Sequence, residues 1–397
     1  MKKETIRTIA VLLLAVFCLQ GTVLAEAIDI PKVEQAGKFN VPENDALNMI
    51  RDMKAGWNLG NTFDAYDDTG WFKAKNPADM ETAWVNVKTS PELIQTVYDA
   101  GFRTLRIPVS WHNHVDENDV IHPEWIARVR EVADIALNLG MYVIVNVHHD
   151  NQEKYFYPDS AHYERSAAYL QSIWTQMAEA FADCGDHLIL ESMNEPRLVN
   201  TDHEWWWDSN DAACRDAADC INRLNQLFVD TVRATGGNNA DRYLLVPGYD
   251  GSPWYAANDA FRLPEDTADN RIIVEAHAYT PYSFALDPNS NVRTFDLKNV
   301  SQKKEILDFM NALYNRFVAK GIPVLLDEFG AMDRNGNLQD RVNFTAFYVS
   351  AARLRGITCC WWDNYVFAGN EPFGLMERRT AKVKTPEIVE AFMANCE

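Results

Sequence analysis

Two glutamates stand where chemistry is easiest to place. Glu195 follows the apolar run of LILESMNEP, and Glu328 follows that of IPVLLDEFGA. A facing pair of carboxyl groups can divide the work of glycosidic bond cleavage: one protonates the leaving oxygen, and the other attacks the anomeric carbon or activates a water. Either glutamate alone could equally be a carboxylate paired with a basic neighbour. Two at corresponding run ends, with Asn194 beside one and aromatic residues nearby, favour the catalytic pair. His148 and His149 close the run MYVIVNVHHD, and Trp362 lies in ITCCWWDN. His277 and Tyr279 of RIIVEAHAY are two apart, which puts both on one face of a strand. No thiolate and no H-x-x-x-H spacing accompanies the histidines, so no metal is expected, and no cofactor. DRNGNLQD (333–340) has its glycine misplaced for a calcium loop and lacks the closing glutamate, so it reads as a surface turn.

The elements that must position these residues repeat. Eight short runs, AGWNLGN, FRTLRIPVSW, MYVIVNVHHD, HLILESMNEP, RYLLVPGYD, RIIVEAHAY, IPVLLDEFGA and ITCCWWDN, end in polar residues and lead into amphipathic stretches. Ser90-Pro91 reads as an N-cap followed by proline at the first helical position, with Gly101 ending that helix. Pro123 opens and Gly140 closes the next. Strands alternating with helices predict a parallel sheet covered on its outer face, and eight repeats close it into an α/β fold, a single (β/α)8 TIM barrel. Reactive groups of such a barrel lie at the C-terminal strand ends, where the polar residues of these runs fall. No linker or second module interrupts residues 46–397, which read as one catalytic domain.

The remaining composition narrows the partners. Among 397 residues, 37 Lys+Arg face 57 Asp+Glu, a net charge of −20. So acidic a surface repels nucleic acid and anionic membranes. The 12 Trp, 15 Tyr and 19 Phe exceed what a core of this size needs and suit stacking on flat, neutral ligands such as sugars. Lys2, Lys3 and Arg7 precede an apolar run, Ile9 to Leu19, too short to span a bilayer, and small residues follow. Residues 1–25 therefore read as a secretion signal, 26–45 as a leader without clear period, and the mature protein as secreted and free of the membrane. Cys184, Cys214, Cys220, Cys359, Cys360 and Cys396 permit disulfides without dictating them, and buried thiols are the favoured reading. Cys359 and Cys360 should face opposite sides of their strand. Nothing demands more than a monomer.

The ordered segments GWNLGN, LRIPV, VIVNVHHD, LESMNEP, EAHAY, LDEFGA and WWDN, spanning about residues 46–390, together resemble glycoside hydrolase family 5, the cellulase A family of retaining barrel enzymes. GWNLGNTFDA with HHD and WWDN is similar to its endoglucanase branch acting on several β-1,4-glucans, including branched xyloglucan. The resemblance implies that Glu195 is the general acid/base and Glu328 the nucleophile. It implies that Arg106 keeps Glu328 ionised and that Asn194 donates to the 2-hydroxyl of the sugar being cleaved. His148, His277, Tyr279 and Trp362 match the rest of the wall, and Asn61, Asp64 and His149 match contacts to the neighbouring sugar on the non-reducing side. Arg106 is then expected to depress the Glu328 pKa, while that negative charge raises Glu195.

Of the consecutive Trp205, Trp206 and Trp207, at least one is expected to floor a leaving-group subsite and the other two to anchor the loop. Trp71, Trp84, Trp111 and Trp254 are further platform candidates. Glu191 shares a face with Glu195 and reads as a structural partner lower in the barrel. The partner implied is a β-glucan polysaccharide or oligosaccharide, and the activity a retaining endo-β-1,4-glucanase. A mannanase or xylanase of the same mechanism, and a non-catalytic sugar-binding barrel, are the alternatives.

Overall fold

Strands of three to six residues cannot satisfy their backbone groups alone, and the eight runs do so by pairing with one another. The computed structural model describes residues 27–397, so the expected secretion signal lies outside it. In it β1 (Gly56–Leu59), β2 (Thr104–Ile107), β3 (Tyr142–Val145), β4 (Leu188–Glu191), β5 (Leu244–Val246), β6 (Ile272–His277), β7 (Val324–Phe329) and β8 (Thr358–Asp363) form one closed barrel in chain order. Every neighbouring pair is parallel, and β8 returns to β1 with Gly56 beside Cys360.

Helices α1 (Asp45–Asp52), α2 (Pro91–Asp99), α3 (Pro123–Asn138), α4 (Tyr163–Ala180), α5 (Ala212–Ala234), the short α6 (Pro253–Ala256) and α7 (Tyr282–Ala285), α8 (Val300–Arg316), α9 (Leu338–Leu354) and α10 (Pro386–Asn395) complete the architecture. Their starts follow local chemistry. Ser90 caps α2 by accepting from Leu93 N, with Pro91 at the first helical position, and Gly101 leaves the helix at φ 107°. Asn44 caps α1 in the same way, and Asp211 caps α5.

Alternation sorts each strand. Outward residues such as Trp57, Leu105, Val143, Leu190 and Leu326 join the core under the helices. Inward residues fill the barrel in two kinds of layer. Tyr142, Ile144, Ile189, Tyr243, Leu245, Ile273, Leu325 and Cys360 make an apolar floor, closed from beneath by Ala46, Met49 and Ile50 of α1. Nearer the C-terminal strand ends the fully buried inward residues turn polar: Asn58, Arg106, Asn146, Glu191, Glu275 and Asp327. A closed barrel leaves no room for a pore, so this polar layer must bond to itself.

One strand departs from alternation. Between β6 and β7, Glu275 pairs with Leu325 and His277 with Glu328, so β7 spends three residues where β6 spends two. Against β8 the same excess separates Leu326 from Phe329. A β-bulge of this kind lets Asp327 and Glu328 both serve the barrel interior, although they are sequence neighbours.

The leader carries no helix or strand from residue 27 to 44, yet it is docked. Val33 N donates to Asn395 Oδ1 at 2.8 Å, Gln35 Nε2 to Phe347 O at 3.2 Å, and Ile28, Ile30, Val33 and Val41 pack partly buried on the core. The six cysteines among the described residues are unbridged and buried, with Cys359 in the outer core and Cys360 inside the barrel. Among the described residues no helix is long and apolar enough to cross a membrane.

The floor leaves one position with no space for a side chain. A Cβ on Gly56 would lie 2.0 Å from Cys360 Sγ. Gly56→Ala should therefore lower stability by about 1–3 kcal/mol or prevent folding. Adding Cys360→Gly should recover most of the loss, read as urea unfolding midpoints. Equal midpoints for wild type and Gly56→Ala would mean that the two strands do not meet in this register.

Candidate active site

The polar layer is organised around one guanidinium. Arg106, fully buried on β2, places Nε 2.7 Å and Nη2 2.6 Å from the two carboxylate oxygens of Glu191. Its Nη1 donates to Glu328 Oε1 at 2.6 Å and to Asn58 Oδ1 at 3.0 Å, and Nη2 donates to Asn194 Oδ1 at 2.8 Å. Asp327 Oδ2 lies 3.2 Å from Nε. A planar fork with five N–H groups suits this arrangement, whereas a lysine could reach only part of it. Asn58 is held by donating to Asp327 O and Trp361 O, and Asn146 Nδ2 donates to Glu191 Oε1 at 2.7 Å. Glu191 is thus the structural partner expected of it.

Above this layer the expected residues converge. Tyr279 donates its hydroxyl to Glu328 Oε2 at 3.0 Å, so both oxygens of Glu328 are fixed. His277 Nδ1 lies 2.7 Å from Glu195 Oε1 and 3.8 Å from Glu328 Oε2. Oxygen atoms of Glu195 and Glu328 and a nitrogen of His277 all lie within 4.8 Å of one another. His148 is buried, 3.0 Å from Asn146 Nδ2, and its ring is parallel to that of Trp362 at 4° and 5.8 Å. Gly60 makes room for that indole, because a Cβ there would lie 2.8 Å from Trp362 Cη2. Asn61, at φ 56°, turns the chain over the same wall.

Asp64 is tied to its own turn. Its fully buried carboxylate accepts from Asn61 N at 2.9 Å and Thr62 N at 2.7 Å, so it shapes the turn that presents Asn61. Burial raises its pKa to about 7, opposed by those backbone amides and by Arg378. His149 stays half-exposed, 3.9 Å from Asp64, and is held neutral by burial and Arg197, with a pKa of about 4.

The proton distribution also departs from expectation. Burial pushes Glu328 above the ordinary range, and Glu195 adds to that push, against the pull of His277 and Arg106. Burial would raise Glu195 as well, but the hydrogen bond and charge of His277, then Arg197 and His149, bring it down to about 2. Burial should lower His277, yet Glu328, Asp327 and Glu195 carry it well above the usual histidine value. The pull on Glu195 and the push on His277 share one source, the 2.7 Å contact between them.

Several residues that share the site are not apparent from the motifs. Asn146 carries a signal, since it lies two residues before His148 and so on the same inward face. Asp327 carries none, because strict alternation turns it away from the face of Glu328 and only the bulge reconciles them. Arg197 Nη1 lies 3.7 Å from Glu195 Oε2, and the Arg197 guanidinium stacks on Trp205 at 3.9 Å. The tryptophan triplet divides unlike the expectation of one platform and two anchors. Trp207 alone anchors, donating Nε1 to Cys214 O, while Trp205 and Trp206 are 61% and 66% exposed. Trp111 is fully buried and donates to Asn146 O, so it belongs to the core, whereas Trp71, Trp84 and Trp254 are exposed. A cleft of about 730 Å³ runs alongside, lined by Tyr66, Asp68, His148, His149, Arg197 and Glu204 among others.

Comparison with known proteins agrees with this geometry. Residues 65–367 match the cellulase family, glycosyl hydrolase family 5. A family 5 lichenase from Caldicellulosiruptor sp. F32, a mutant in complex with cellotetraose, is 51% identical with a TM-score of 0.91 over 94% of this chain and 100% of that one. A GH5-4 broad specificity endoglucanase from Ruminococcus champanellensis with bound cellotriose is 39% identical, with a TM-score of 0.81 over 89% and 99% of the two chains. Endoglucanase A of Ruminococcus albus is 38% identical over 377 residues, 93% of this chain and 98% of that protein.

Because Glu191, Asp327 and Glu328 share Arg106, Arg106→Met should strand them and cost about 3–5 kcal/mol at neutral pH. Burial already holds Glu191 and Glu328 above their unfolded values against the pull of Arg106, and removing the cation raises both further, so the mutant native state binds more protons and its stability falls more steeply as pH rises. The deficit in urea unfolding should accordingly be smaller at pH 5 than at pH 7. A deficit independent of pH would show that these carboxyl groups do not depend on Arg106.

Proposed function

The chain belongs to glycosyl hydrolase family 5, and from that premise we propose that it is a retaining endo-β-1,4-glucanase with Glu328 as nucleophile and Glu195 as general acid/base. The observation that carries this reading is the proximity of the two carboxyl groups, whose oxygens come within 4.8 Å. Retaining enzymes hold the pair about 5–5.5 Å apart so that one attacks directly, whereas inverting enzymes keep about 6.5–9.5 Å free for a water.

The steps follow from the surrounding residues. Glu328, fixed by Arg106 and Tyr279, attacks the anomeric carbon and forms a glycosyl-enzyme as the bond to the departing oxygen breaks. Glu195 gives that oxygen its proton, then takes one from the water that resolves the intermediate. Asn194, with its carbonyl held by Arg106, keeps its amide free to donate to the 2-hydroxyl. His148 and Trp362 wall the sugar being cleaved, and Asn61 and His149 lie toward its non-reducing neighbour. The exposed Trp205 and Trp206, beside Arg197, suit the leaving-group side.

The substrate class is the β-1,4-linked glucans, with mixed-linkage glucan, cellulose and xyloglucan as candidates; the names of the lichenase and of the broad specificity endoglucanase support this range. The acidic charge fits a neutral polysaccharide rather than nucleic acid. The basic start and short apolar run of residues 1–25 support export, and a single barrel that carries its whole site supports a monomer.

Initial rates on barley β-glucan, xyloglucan, carboxymethyl cellulose, glucomannan and xylan test the class. The β-glucans should be cleaved fastest, and a preference for xylan or mannan would overturn it.

The two glutamates separate by stereochemistry. Glu195→Gln or Glu328→Gln should cut polysaccharide turnover by at least about 10²–10⁴ without loss of fold. On an aryl cellobioside whose leaving group departs unprotonated, Glu195→Ala with azide should give the β-azide. Glu328→Ala with azide should give the α-azide. Proton NMR of the anomeric coupling distinguishes them, and wild-type release of the α anomer first would contradict the retaining mechanism.

A further inference from the structure

Beneath the catalytic pair lies a carboxyl group that these steps do not use. Glu275 is fully buried on β6, two residues before His277 and inward like it. Its Oε1 lies 3.2 Å from His277 Nε2, and Asp327 Oδ1 lies 3.5 Å from the same nitrogen. Among the described residues neither Glu275 oxygen has a hydrogen-bond partner, and neither has His277 Nε2. The groups facing Glu275 are Glu191 from β4, Asp327 from β7 and His277 of its own strand. The ring of His277 is faced in addition by Glu195, Glu328, Asp250 and His148. Arg106 is already divided among Glu191, Asp327 and Glu328, which leaves Glu275 no cation except a charged His277. A buried carboxyl group without a cation keeps its proton.

The same ring governs Glu195. With His277 charged, Glu195 sits at about 2 and holds no proton at a working pH. Acid catalysis therefore requires a neutral ring. To keep donating to Glu195 through Nδ1, a neutral ring must carry its one proton there, which turns Nε2 into a lone pair in need of a donor. Asp327, which faces Arg106 Nε with its other oxygen and lies farther from Nε2, is placed as an acceptor. A protonated Glu275 can supply the donor.

Building on the roles given above to Glu195 and Glu328, we propose that Glu275 is a positioning residue, a protonated carboxyl group that donates to His277 Nε2 and holds the ring as its neutral Nδ1–H tautomer. The proton leaving Nε2 passes to Glu275, and the ring loses its charge. Glu195 then takes one proton from solvent on Oε2, the oxygen turned away from His277. That proton goes to the departing oxygen and is recovered from the attacking water, so Glu275 ends each turnover as it began.

The test is kcat/KM against pH for two substrates, phenyl cellobioside, whose leaving group needs a proton, and 2,4-dinitrophenyl cellobioside, whose leaving group does not. Wild type should show an alkaline limb only with the first. The same limb with both would remove the acid role of Glu195 itself, a failure distinct from that of Glu275. Glu275→Gln keeps a donor and should leave the limb in place. Glu275→Met and Glu275→Leu, either of which suffices if the other does not fold, leave Nε2 protonated toward Asp327. Their limb should move down by at least about one pH unit, about tenfold in rate above it, with the dinitrophenyl substrate little affected. A glutamine limb that moves as far as that of methionine, or equal losses on both substrates without a shift, would overturn the proposal.

Discussion

A single buried positive charge sets the terms for the barrel's upper half. Taking a guanidinium and three carboxyl groups out of water is costly, and only close mutual bonding offsets it. Arg106 provides that bonding from β2 by reaching β4, β7 and, through Asn58, β1. The strands it joins are not all neighbours, so it fixes their relative height across the interior where backbone pairing cannot. Glu328 inherits its position from this arrangement. The interaction is better read as a specifier of geometry than as a source of stability, since a well-packed apolar layer would serve stability as well.

Above that layer, charge is in excess. The carboxyl groups of Glu191, Glu275, Asp327, Glu328 and Glu195 meet one arginine and one imidazole within hydrogen-bonding reach of the pair. Not all can be ionised together, and titration there belongs to the group rather than to any one member. Such crowding is useful to an enzyme that must pass a proton to and from one carboxyl group while its neighbour stays charged. It also explains why Glu195 and Glu328 show shifts opposite to those expected from Arg106 alone: the imidazole lies nearer Glu195 than the arginine does, and burial dominates Glu328.

Much of this was legible before any coordinates. The eight apolar runs became the eight strands in order, the capping residues fell where Ser90 and Gly101 indicated, and both glutamates reached one mouth. These features rest on local periodicity and on motifs a few residues long. What was not legible depends on longer range. The leader lacks a period because it is ordered by the sides of α9 and α10 rather than by its own backbone bonds. Trp111 and Trp207 could not be told from exposed rings, because the partner of each indole N–H, Asn146 O or Cys214 O, is set by loop packing. Nothing in the sequence around Asp64 shows that two backbone amides close on it.

The bulge in β7 bears on how this barrel can change over time. Point substitution explores side chains on a fixed register, but here the direction of Glu328 is set by a residue count: three on β7 against two on either neighbour. Flattening the bulge with no residue removed would restore plain alternation from Leu325 and turn Glu328 toward the helices, with every side chain of the motif still present. A segment exchanged between related barrels by recombination must therefore carry its irregularity with it. The bulge is inherited as a length rather than as a letter, and it would survive extensive drift of the sequence around it.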